Sequence, residues 1–124
     1  MVAQCILVGC KTNSIVPLIK EVAVELAINF RTKHKVEDFL LDIQENDYNS
    51  IIFEMNMSCY ESLKTIRLIR RMRPKIPLIV LMDKIDKKIG GQLLSEGVFH
   101  LLLSPPSREN LQTTLSTALK SYKK

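Results

Sequence analysis

The residues able to do chemistry are few and scattered. Glu54 closes the apolar run Ser50-Ile51-Ile52-Phe53, so its carboxylate stands at the end of a buried strand. Lys11 follows a second apolar run, Cys5-Ile6-Leu7-Val8, after Gly9 and Cys10. If the two strand ends meet, the Lys11 ammonium and the Glu54 carboxylate form a partly buried pair; otherwise both point into water. Cys5, Cys10 and Cys59 make no CxxC and stand at no metal-ligand spacing from a histidine, so they read as reduced thiols in or near a core. His34 and His100 are far apart in sequence and suggest no site. Met55, Met57, Met82 and Cys10 offer soft donors near one rim, but methionine more often fills space, and no residue is assigned to a metal.

Two further patterns are weighed. Arg67, Arg70, Arg71, Arg73 and Lys75 form a basic run at the end of a helix. Such a run can touch phosphates, or it can be a solvated face favoured by the helix dipole. No aromatic residues interleave it, so it offers no base-stacking platform. Gly9, Gly90, Gly91 and Gly97 form neither a dinucleotide fingerprint nor a phosphate-binding loop. No Ser/His/Asp or Cys/His arrangement follows from spacing, and neither an enzyme nor a small-molecule substrate is expected.

These residues must be positioned by elements that alternate along the chain. Short apolar runs at 4–9, 50–55, 77–82 and 98–103 read as buried strands, and the polar stretch 30–35 as an edge strand blunted by basic residues. Between them, Ile15, Leu18, Ile19, Val22 and Leu26 recur at helical spacing, with Pro17 tolerable only in the first turn. Val36, Phe39, Leu40 and Ile43 mark a second helix, and Asn46-Asp47-Tyr48-Asn49 a turn. Leu63, Ile66, Leu68, Ile69 and Met72 mark a third helix, stopped near Pro74. A weaker fourth helix spans 84–96, interrupted by Gly90-Gly91. Ser107 opens a fifth carrying Leu111, Leu115 and Leu119, with Asn110 as a partial capping box. Five strands alternating with five helices demand a parallel sheet covered on both faces, and the flavodoxin-like order 2-1-3-4-5 is the natural arrangement.

Composition agrees with one domain over 1–124. The chain has 124 residues, 46% hydrophobic and 25% charged, and needs no disulfide or metal staple to bury a core. No apolar run approaches a signal peptide or a membrane span, so a cytoplasmic location is expected. The net charge of +5 is compatible with acidic partners or weak nonspecific nucleic-acid contact and establishes neither.

Three stretches carry a resemblance to a known family. They are Phe39-Leu40-Leu41-Asp42-Ile43-Gln44-Glu45-Asn46-Asp47-Tyr48-Asn49-Ser50-Ile51-Ile52-Phe53-Glu54, Arg73-Pro74-Lys75-Ile76-Pro77-Leu78-Ile79-Val80-Leu81, and Gly97-Val98-Phe99-His100-Leu101-Leu102-Leu103-Ser104-Pro105. Together they resemble the CheY-like receiver domain of two-component response regulators. The resemblance implies a phosphoacceptor aspartate at the position of Glu54. It implies a magnesium-binding acidic pair at Cys10 and Lys11, a hydroxyl residue at Met82, a switch aromatic at Leu101 and a lysine at Ser104. Each has departed from the family pattern. Pro105 is kept, so the Ser104-Pro105 bond is expected to be cis.

The resemblance therefore implies a degenerate receiver with no cofactor. It would signal through a protein partner or its own dimer on the face of the fourth helix, fifth strand and fifth helix, with Lys84, Lys87, Lys88 and Gln92 as contacts. The chain would be free-standing or the N-terminal domain of a longer regulator with a DNA-binding output domain. Two alternatives stay open: a phosphorylatable receiver controlling an attached transcriptional output domain, and a basic nucleic-acid-binding module.

Overall fold

A computed structural model describes residues 4–55, 59–84 and 87–122. The strands are β1 (Cys5–Gly9), β2 (Asn29–Lys33), β3 (Ser50–Glu54), β4 (Leu78–Met82) and β5 (His100–Leu103). The helices are α1 (Val16–Leu26), α2 (Val36–Glu45), α3 (Cys59–Met72), α4 (Lys87–Ser95) and α5 (Arg108–Ser121). All neighbouring strands pair parallel in the order β2-β1-β3-β4-β5, the flavodoxin-like topology expected from the alternating pattern.

Strand alternation divides the core into two layers. Ile6, Val8, Ile52, Ile79 and Leu81 face α1 and α5, where they meet Ile19, Val22, Leu111 and Leu115. Leu7, Ile51, Phe53, Leu78 and Val80 face the other way, toward Phe39 and Ile43 of α2, Ile66 and Ile69 of α3, and Leu93 of α4. Phe39 stacks on Phe53 with ring centroids 5.5 Å apart. That stack leaves no room at β1: a Cβ on Gly9 would lie 2.8 Å from the Phe39 ring.

Local signals act largely as expected. Pro17 sits in the first turn of α1, and Ser107 caps α5 by accepting from the Asn110 N–H. Thr12 caps a short 3-10 turn, Asn13–Ile15, that leads into α1. The turn after α2 is tied by Asp42, which is buried and accepts from the Tyr48 hydroxyl at 2.6 Å and the Asn46 amide at 2.7 Å. β2 is an edge strand, with Arg31 exposed and Lys33 half-buried.

Two expectations are corrected. The fourth helix is described over Lys87–Ser95, and Gly90-Gly91 do not interrupt it; Gly90 fits against Leu101, where its missing Cβ would sit 3.6 Å from a Leu101 methyl. The basic run on α3 is in large part structural. Arg73 donates from Nε to Ile43 O (3.0 Å) and from Nη2 to Gln44 O (3.2 Å) and Asn46 O (3.1 Å), closing the C-terminal end of α2. Arg70 donates to Ile76 O at 2.6 Å and to Pro74 O, and burial lowers its pKa. Arg67 pairs with Glu96 at 2.7 Å. Arg71 and Lys75 are exposed.

Two stability outcomes follow. Arg73→Ala strands three carbonyl oxygens at a helix end and is expected to cost about 1.5–3 kcal/mol in urea unfolding, with Arg71→Ala within about 0.5 kcal/mol of wild type. Ala27 closes α1 in the left-handed region, at φ 54°, so Ala27→Gly is expected to raise stability by about 0.5–1 kcal/mol in the same titration.

Candidate functional site

The parallel register gathers the carboxyl ends of the strands at one rim. Gly9 pairs with Phe53, Glu54 with Leu81, and Met82 with Leu103. Cys10, Glu54, Met82 and Ser104 therefore end or follow adjacent strands, and Ser104 N–H donates to Met82 O at 2.7 Å. The Ser104-Pro105 bond is cis.

The side chains do not all converge. Alternation places Cys10 and Glu54 toward the α1–α5 layer, with Cys10 packed among Ile6, Val8 and Ile15. Met55 and Met82 lie in the opposite layer, beside Phe53 and Val80. Cys10 is thus separated from Met55 and Met82 by the sheet, and Met57 lies outside the described residues. Leu101 is half-buried against the Met82 layer.

Glu54 is 4% exposed, whereas Lys11 is exposed on the turn after β1. The ion pairs of the described residues do not join them, so the expected Lys11–Glu54 pair is not formed. The physical reason is hydration. A lysine ammonium is strongly solvated on a long flexible stem, and drawing it against a buried carboxylate costs more desolvation than the contact returns.

A contact that spacing alone did not signal lies beside Cys10. Parallel pairing of Gly9 with Lys33, continued by Cys10 N–H to Lys33 O at 3.0 Å, brings His34 next to Cys10. His34 Nδ1 lies 3.0 Å from the Cys10 carbonyl oxygen and 3.7 Å from its sulfur. A carbonyl oxygen only accepts, so Nδ1 carries the proton and cannot take one from the thiol. Burial, and then the nearby Glu54 charge, raise the Cys10 pKa from 9.0 to about 11. The couple is a packed thiol and a donor imidazole, not an activated nucleophile.

The same residues decide whether a hard divalent cation fits. Magnesium takes carboxylate and water oxygens in octahedral geometry. Among the described residues the rim supplies the buried Glu54 carboxylate, the exposed Asp83 carboxylate after β4, a neutral soft thiol and an exposed ammonium. Among the described residues no three His, Cys, Asp or Glu side chains stand close enough to hold a metal ion. This donor set does not fit magnesium.

The raised thiol gives a pH signature. A proton held more tightly in the folded state stabilises the fold below pH 9 and is lost as pH climbs toward about 11, so stability is expected to fall across that window. Cys10→Ser is expected to flatten that part of the curve. Iodoacetamide mapping of the native protein at neutral pH is expected to leave Cys10 unmodified.

No protein-family model matches the chain. Among curated proteins, the transcriptional regulatory protein ZraR of Escherichia coli is 24% identical over 80 residues, covering 64% of this chain and 18% of that protein. The chain thus spans about a fifth of the length of the curated relatives it matches. Among solved structures, a CheY-like response regulator receiver domain from Methanospirillum hungatei superposes with TM-score 0.87 at 14% identity, covering 96% of this chain and 95% of that one. The beryllofluoride-activated NtrC4 receiver domain dimer superposes with TM-score 0.87 at 19% identity, covering 96% and 98%. At these identities the likeness is one of fold.

Proposed function

We propose that this chain is a receiver-like signalling domain that does not take up a phosphoryl group and acts through protein–protein contact. The observation that carries the reading is the rim itself. The acceptor position holds a buried glutamate, next to a neutral thiol where the family has an acid. Phosphoryl transfer needs a positioned acceptor and a cation that neutralises developing charge. Glu54 carries one methylene too many for that position, and the donor set around it does not fit magnesium. Met82 presents no hydroxyl and Ser104 no cation to grip a phosphoryl oxygen. On this reading the chain is not an enzyme.

The contact face would be α4–β5–α5; that a domain of this fold can pair with its own copy is supported by the NtrC4 receiver domain dimer. Lys84, Lys87, Lys88 and Gln92 are exposed there, as are Leu94 at 56% and Leu103 at 51%. The match to a much longer transcriptional regulator supports an attached output domain as a further part of the reading. The described helices include none long and apolar enough to cross a membrane. The nucleic-acid alternative loses support, because Arg67, Arg70 and Arg73 are engaged within the fold.

The test is incubation with phosphoramidate and Mg²⁺ followed by intact mass. The expected result is an unmodified chain, and a stoichiometric gain of about 80 Da, the mass of one transferred phosphoryl group, would reverse the reading. Titration calorimetry is expected to show no sub-millimolar magnesium binding.

A further inference from the structure

Helix α4 is held unevenly along its length. Its C-terminal end is well anchored. Leu93 is fully buried in the layer that holds Leu78 and Val80. Gly97 follows the helix in the left-handed region, at φ 89°. Its N–H donates to Leu94 O at 3.0 Å, and the Val98 N–H donates to Leu93 O at 3.3 Å. This is the paired closure that a glycine just past a helix makes, with the buried Val98 packed behind it. Arg67 holds Glu96 at 2.7 Å, and the Arg70 guanidinium lies against Gly97, with Nε 3.4 Å from where a Cβ would stand.

The N-terminal half has less to lean on. Its apolar side chain is Ile89, which packs half-buried against the same layer, while Lys87, Lys88, Gly91 and Gln92 are exposed. The middle of the helix is Gly90-Gly91. Glycine loses the most backbone freedom in a helix, and each one standing for an alanine shifts the helix toward unfolding by about fourfold to fivefold. Packing requires neither of them. A Cβ on Gly91 would meet nothing within 4 Å, and one on Gly90 would meet a Leu101 methyl at 3.6 Å, an ordinary contact. Neither takes the left-handed conformation that excludes other residues. A helix of 9 residues does not hold itself without packing, so the two glycines weaken it at the point where packing is thinnest.

We propose that α4 is a hinged gate: residues 87–91 unwind up to Gly90-Gly91 while residues 92–98 stay in place, and the opening uncovers the groove between α4 and β5. That groove, about 380 Å³, is walled on the helix side by Lys87, Gly90 and Gly91, and on the sheet side by Met82, Leu101 and Leu103. The helix-side wall is the segment that leaves. Met82 is 8% exposed while that segment is in place. Such an opening costs far less than unfolding the chain, because Leu93 and the layer beneath it stay packed. The opening is a property of the free chain. That it governs a binding surface rests on the reading of α4–β5–α5 as the contact face.

The experiment is amide hydrogen exchange of the full chain at increasing urea, each rate taken relative to that of an unstructured peptide. In an α-helix the amides at 91–95 donate to the carbonyl oxygens of 87–91, so they lose their partners when the segment opens. They are expected to exchange about 100-fold faster than the Leu111, Leu115 and Leu119 amides of α5, at a rate that low urea leaves unchanged, because little surface is exposed. The Glu96, Gly97 and Val98 amides, whose acceptors are Gln92, Leu93 and Leu94, are expected to stay about tenfold or more slower than 91–95. Gly91→Ala is expected to slow 91–95 by about fourfold to fivefold, and Gly90→Ala with Gly91→Ala by about twentyfold. Peroxide oxidation of Met82, located by peptide mass, is expected to slow in parallel.

These measurements need no partner, so they stand or fall apart from the contact-face reading. Exchange at 91–95 that matches the α5 amides in rate and in urea dependence would overturn the opening. Equal exchange at 91–95 and 96–98 would mean that the helix opens as a whole and would overturn the hinge. Rates at 91–95 that neither alanine variant moves would overturn the role of the glycines. Met82 oxidation that holds steady while the exchange slows would overturn the gating of the groove.

Discussion

The structure depends on one constraint: a parallel sheet must be covered on both faces, because each crossover carries a helix to one side or the other. That requirement explains why β1, β3 and β4 are apolar on both sides and why two core layers share them. It also dictates where chemistry can sit. Each strand runs the same way, so each strand's carboxyl end arrives at the same rim, whatever residue happens to stand there. Gly9 shows how tight the packing behind that rim is, since the Phe39 ring occupies the space its side chain would need. The rim is thus held by apolar packing of the strands beneath it rather than by any interaction among the rim residues themselves.

Much of this was legible from periodicity. Five strands, their alternation with helices, the edge character of β2, the first-turn placement of Pro17 and the cap at Ser107 all follow from local rules that need only a few neighbouring residues. The parts that were not legible are long-range or geometric. Arg73 reaches carbonyl oxygens nearly thirty residues earlier, and no local pattern separates it from the exposed Arg71. The proximity of His34 to Cys10 depends on the register of two strands joined by a helix, although the stretch at 30–35, which contains His34, was expected beside the apolar run that Cys10 follows. The exposure of Lys11 depends on a solvation balance that residue type alone leaves undecided.

The charge balance at the rim follows from residue type and burial. A cluster of carboxylates in one cleft repels itself and is tolerable only when a cation or protons neutralise it. Cys10 is neutral, and its raised pKa keeps it so at ordinary pH. Lys11 stays in water, and Glu54 is left as the one acidic strand end in this buried region. Among the described residues Glu54 is the one buried carboxylate at the rim, so little self-repulsion arises there.

Two residues behind the rim also reach the outer face of the sheet. Met82 and Leu101 belong to the same apolar layer, and both form walls of the groove between α4 and β5. A hydroxyl and an aromatic ring at these places would have two alternative arrangements, one for each state of the rim, and a bistable pair of this kind is what carries coupling between distant sites. Two aliphatic or thioether side chains packed against each other have no polar partner to exchange and no ring to swing. The groove they line has its shape set by packing alone. On the proposed reading of the chain, a surface of that kind would report its own occupancy rather than the state of the rim.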